Sequence, residues 1–96
     1  MEAPLSAPPP SERVMPMLPR IESVEANPDT YTILATFETG ERRRYNVTPL
    51  LDRGVFRLIR SPDAFLAVGV DEMGGIVWEA GPDLSRDTVY LASEPA

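Results

Sequence analysis

Tyr31-Thr32-Ile33-Leu34-Ala35-Thr36-Phe37-Glu38-Thr39-Gly40-Glu41-Arg42-Arg43-Arg44-Tyr45-Asn46-Val47 is the stretch on which the fold turns. Tyr31, Ile33, Ala35 and Phe37 alternate with Thr32, Leu34 and Thr36. A period of two in β-branched and aromatic residues predicts a half-buried strand. Glu38-Thr39-Gly40 predicts the turn, and Glu41 to Val47 the returning strand. A two-residue loop, Thr39-Gly40, would set Phe37 opposite Arg42 and Ile33 opposite Asn46. A three-residue loop, Glu38-Thr39-Gly40, sets Ile33 opposite Tyr45 and Tyr31 opposite Val47, which gathers the apolar residues on one face. The second register is therefore expected, with Gly40 in the left-handed position of the loop. It leaves Thr32, Thr36, Arg42, Arg44 and Asn46 on the outer face and Arg43 at the end of the inner one.

Upstream, Ile21, Val24 and Ala26 predict a short first strand, ended by the turn cluster Asn27-Pro28-Asp29. Downstream, Thr48-Pro49-Leu50-Leu51-Asp52 predicts a helical turn with Thr48 as cap and Pro49 in the first position. Gly54 is expected to break it, ahead of the apolar cluster Val55, Phe56, Leu58 and Ile59. Ser61-Pro62-Asp63 signals a second start, continued by Ala64 to Ala67 and closed by Gly69. Val68 or Val70 opens a strand that turns through Asp71 to Gly75 into Ile76-Val77-Trp78, which Gly81-Pro82 stops. Ser85, with Asp83 before it, caps a last helical segment carrying Val89, Tyr90 and Leu91. Strands and helices arranged in blocks predict an α+β fold: a small antiparallel sheet of about five short strands with two or three short helices. The domain is expected over residues 20–92. The proline-rich residues 1–19 read as a disordered tail, and residues 93–96 as a C-terminal one. Pro8-Pro9-Pro10 could dock on an aromatic groove, but a plain tail is preferred. Met1, Met15 and Met17 are all candidate translation starts.

Composition narrows the chemistry. Ninety-six residues, 43% hydrophobic and 25% charged, make one small globular domain. The chain has no Cys, His or Lys, so thiolate metal sites and the usual bases for a serine nucleophile are missing. Its nine basic residues are all Arg and its net charge is −6, which counts against a nucleic-acid surface of any size. The first residues show no basic start followed by an apolar run, and no apolar stretch approaches the length that spans a bilayer, so neither a secretory signal nor a membrane span is expected, and a cytoplasmic location is.

Four features are candidates for function. Trp78, the only tryptophan, reads either as a core anchor or as an interface hot spot, with the core preferred. Arg42 and Arg44, with Asn46 beside them, place two guanidinium forks on one face, either to hold a carboxylate or phosphate or simply to be solvated. Glu79, Asp83 and Asp87 lack the alternating oxygen ligands of a calcium loop, so no metal is expected. Ser85 has no His or Lys to activate it and reads as a helix cap. No catalytic residue, no enzyme activity and no cofactor are expected. The candidate partner-binding residues are Trp78, Arg42, Arg44 and Asn46.

Pro19-Arg20-Ile21, Thr36-Phe37-Glu38-Thr39-Gly40-Glu41, Val47-Thr48-Pro49-Leu50-Leu51, Gly54-Val55-Phe56, Val77-Trp78 and Asp83-Leu84-Ser85-Arg86-Asp87-Thr88-Val89-Tyr90 together resemble a bacterial domain of unknown function, number 2442. The resemblance covers about Pro19 to Leu91 and rests on the order and spacing of these segments. The chain departs from it at Arg86, where members often have Pro, and at Glu79-Ala80, where a Pro-Asn-like pair is common. Some members precede a helix-turn-helix domain, and others adjoin a second small gene in a pair resembling a toxin–antitoxin arrangement. The resemblance carries over no catalytic residue. It implies either a non-catalytic protein-interaction module, antitoxin-like in such a pair, or a transcription-related regulatory domain that contacts nucleic acid directly or through a partner. Another small protein is the expected partner. A homodimer formed through an exposed strand edge is compatible with both.

Overall fold

The computed structural model describes residues 18–96. The tail expected over residues 1–19 lies outside them up to residue 17, as do Pro8-Pro9-Pro10 and the alternative starts. The elements run β1 (Ile21–Asn27), β2 (Thr32–Phe37), β3 (Arg42–Asn46), two 3₁₀ helices η1 (Thr48–Leu50) and η2 (Gly54–Ile59), α1 (Pro62–Leu66), β4 (Val68–Val70), β5 (Ile76–Trp78), β6 (Asp83–Leu84), α2 (Arg86–Ala92) and β7 (Glu94–Pro95). The class is α+β. The strands form two antiparallel sheets rather than one, in the orders β1-β2-β3-β7 and β4-β5-β6. The two are joined where the Ile21 amide donates to the Gly74 carbonyl at 2.8 Å and β4 lies against β1.

The hairpin has the expected register. Ile33 pairs with Tyr45, and the Val47 amide donates to the Tyr31 carbonyl at 2.9 Å. Phe37 and Glu41 close the loop, and Gly40 has φ +91°, the left-handed conformation that glycine adopts without a side-chain clash. One consequence of period two is that Ile33, Ala35 and Phe37 are buried while Thr32, Leu34 and Thr36 are only partly covered. Tyr31 precedes β2 instead of belonging to it. Its φ of +53° is unusual for a bulky residue and is held in place by that Val47 bond, a Phe65 ring edge-on at 5.0 Å, and a hydroxyl bond to the Arg60 carbonyl.

The core lies between the inner face of the four-stranded sheet and the smaller sheet, with Ile33, Phe37, Val47, Ile59, Phe65, Ile76, Trp78 and Val89 essentially inaccessible. Ser61 and Ser85 cap α1 and α2 by accepting the amides of Ala64 and Thr88. Other punctuation differs from the sequence expectation. Val47, not Thr48, is the cap residue of η1, and no side chain caps it; the Thr48 amide is instead taken by Oδ1 of Asn46 at 3.1 Å. Gly54, with φ +47°, starts η2 rather than ending a helix. Gly69 lies inside β4, because α1 has already ended at Leu66. β6 and β7 are two-residue strands in stretches expected as loop and tail. Glu94 pairs with Arg44 and Pro95 with Arg43, so the sheet extends beyond residue 92.

Candidate interaction surface

Strand pairing assembles a polar face on the outside of the four-stranded sheet. Its rows are Ser23–Thr36–Arg42, Glu25–Leu34–Arg44–Glu94 and Asn27–Thr32–Asn46. Arg42, Arg44 and Asn46 are exposed there, as the alternation requires. The Cα atoms of Arg42 and Arg44 are about 7 Å apart along an extended strand. Among the described residues neither guanidinium has a carboxylate within ion-pair distance. Three open concavities mark the face. One of about 210 Å³ borders Arg42, Thr36 and Glu25. One of about 370 Å³ borders Arg44, Leu34 and Asn27. One of about 350 Å³ lies among Arg44, Asn46, Thr32, Thr48 and Glu94. Arg44 lines both larger ones. The polar groups along these rims are threonine hydroxyls, amides and charged tips, suited to hydrogen bonding with a surface laid across them.

Asn46 has a structural task as well, since its Oδ1 ends β3 by holding the Thr48 amide. Trp78, by contrast, belongs to the interior. It is 1% exposed, its indole N–H donates to the Phe65 carbonyl at 3.0 Å, and Phe56 and Phe65 pack on its ring. A side chain so enclosed presents nothing to a partner, and the hot-spot role expected as one option for Trp78 is corrected to that of a core anchor.

Sequence reading did not anticipate the weight of Arg43. Its side chain points inward and is 15% exposed. One guanidinium nitrogen meets Oε2 of Glu41 at 2.8 Å, while Nε and the remaining nitrogen donate to Oγ and the carbonyl of Ser93, each at 2.7 Å. The same group lies 4.8 Å from the centre of the Tyr90 ring. The Arg43 hydrogen bond first, and that of Tyr90 second, hold the Glu41 carboxyl below its ordinary value. The Tyr90 hydroxyl is raised, chiefly by its bond to Glu41. The only sequence signal for this cluster was an arginine at an inward position with Glu41 two residues before it, because Ser93 lies 50 residues away and Tyr90 nearly as far.

Glu79, Asp83 and Asp87 do not gather, and no group of three or more potential metal ligands occurs among the described residues. None of the helices described there is long and apolar enough to cross a membrane. No curated protein and no solved structure matches the chain. Residues 21–95, carrying both sheets, the polar face and the Arg43 cluster, match the family described as "Protein of unknown function (DUF2442)", and the chain belongs to that family.

Proposed function

We propose that this domain is a non-catalytic protein-interaction module that binds another small protein through the outer face of its four-stranded sheet. The supporting observation is the placement of Arg42 and Arg44 in adjacent rows of an open polar face, without carboxylate partners among the described residues. The net charge of −6 draws a basic partner to the domain, and the two guanidinium forks set its register by pairing with carboxylates on it. In a two-gene setting such a module acts as the antitoxin-like member, in the cytoplasm. The test is affinity purification of the tagged chain from its native host, with and without nuclease, beside the Arg42→Ala/Arg44→Ala variant. One protein recovered stoichiometrically, resistant to nuclease and lost from the variant, is the expected result.

The same two exposed arginines favour a second reading, a regulatory domain that contacts nucleic acid. Enrichment abolished by nuclease would select it, as would a low-salt shift of DNA or RNA that fades steeply with added salt.

A further inference from the structure

Three of the six large apolar side chains left exposed among the described residues sit on η2 and α1: Val55 at 58%, Leu58 at 57% and Leu66 at 52%. Their placement follows from helix geometry. A 3₁₀ helix repeats every three residues, so residues i and i+3 share an edge. Phe56 and Ile59 form the inner edge of η2, with Phe56 against the Trp78 ring and Ile59 fully buried. Val55 and Leu58 then form a second edge, turned to solvent, and Arg57 with the following Arg60 a third.

The charges around this surface have both signs. Arg53, Arg57 and Arg60 are exposed, and so are Asp52 and Asp63. Arg57 is held in place by donating Nε to the Asp52 carbonyl at 3.1 Å. Arg60 is only loosely paired with Asp52, at 3.8 Å, with the two side chains 62% and 86% exposed. A uniformly acidic partner would meet Asp52 and Asp63, and a uniformly basic one would meet the three arginines. Exposed apolar side chains on two helices in contact, with exposed arginines and aspartates on and beside the same helices, suit a second copy of this chain, because a two-fold rotation can set the arginines of one copy against the aspartates of the other. The sheet edges offer no equal alternative. β1 and β4 face each other, and the outer strands β6 and β7 are two residues long.

We infer that this chain self-associates through η2 and α1, with Val55, Leu58 and Leu66 at the centre of a two-fold contact with a second copy. The surface uses none of the residues of the polar sheet face, so it stands independently of the function proposed above.

Sedimentation equilibrium of the full chain, from about 1 μM to about 1 mM, tests it, because a contact this small associates weakly. The expected result is a mass that rises from 10.6 kDa toward twice that value with concentration. Val55→Glu/Leu58→Glu then remains at the single-chain mass throughout, with unchanged Trp78 fluorescence as evidence that the fold is kept. Leu91→Glu, at an apolar side chain 74% exposed on α2, associates as the unsubstituted chain does. A single-chain mass at every concentration would overturn the inference. So would association that survives Val55→Glu/Leu58→Glu, or that is lost equally with Leu91→Glu.

Discussion

The Tyr90 hydroxyl donates to Oε1 of Glu41 at 2.8 Å, a bond between side chains 49 positions apart in the chain. Arg43 takes the other carboxylate oxygen and lies over the Tyr90 ring. Three side chains thus fasten α2 to the start of β3. Ser93, bonded to Arg43 and through its hydroxyl to the Tyr90 carbonyl, carries the connection on to β7.

This arrangement makes stability sensitive to pH at both ends. Glu41 titrates below its ordinary 4.5 in the folded chain, so its contribution is present above that value and is lost as pH falls through the folded pKa. Glu41→Gln removes that contribution, and Tm measured against pH should decline less steeply on the acid side. Tyr90 is raised, so its contribution is complete below 10.0 and is lost as pH rises through the folded pKa. Tyr90→Phe should lower Tm at neutral pH and flatten the alkaline decline. Acid and alkaline limbs identical to those of the unsubstituted chain would show that the bond contributes nothing to folding.

The three consecutive arginines should separate cleanly. Arg43→Ala breaks several charge-assisted bonds in a partly buried setting and should destabilise the domain by about 2 kcal/mol in urea titrations. It should also speed hydrogen exchange at the Ala96 amide, which is bonded to the Arg42 carbonyl at 2.9 Å. Arg42→Ala and Arg44→Ala should each fall within about 0.5 kcal/mol of the unsubstituted chain, as exposed positions do, while weakening partner capture. Equal destabilisation at all three positions would contradict the assigned faces.

Trp78→Phe removes the donor to the Phe65 carbonyl and leaves a void beside it, and about 2–4 kcal/mol of stability should be lost. The unsubstituted chain should show the blue-shifted emission of an enclosed indole and resist quenching by iodide. Emission typical of a solvated indole would place Trp78 at the surface.

Caps provide a paired comparison. Ser61→Ala and Ser85→Ala each remove an acceptor for a helix-start amide and should destabilise by about 1 kcal/mol. Thr48→Ala should change stability by less than about 0.5 kcal/mol, since the Leu50 and Leu51 amides at that helix start bond the Val47 and Thr48 carbonyls and no side chain caps them. Denaturant midpoints of the three variants decide the point, and a Thr48 effect as large as the serine ones would restore it as a cap.

Legibility in the sequence followed distance along the chain. Ser61 and Ser85 could be read as caps because a cap and its amide are three residues apart. The outward placement of Arg42, Arg44 and Asn46 was readable because alternation within one strand assigns its face. Thr48 misled because its type and position suit a cap, yet the amides it would have served, those of Leu50 and Leu51, bond the carbonyls of Val47 and Thr48. β6 and β7 escaped notice because two residues carry no periodicity, and only their neighbours make them strands.

By itself the sequence determined the hairpin register, the polar outer face and the α+β class, since each depends on side-chain pattern over a few adjacent residues and on the gain from burying one face. The tertiary structure alone decided that the strands divide into two sheets, that Trp78 is enclosed by Phe56 and Phe65, and that Arg43, Glu41, Tyr90 and Ser93 form one cluster. Those outcomes depend on contacts between residues far apart in the chain, whose partners are chosen only when the whole core packs.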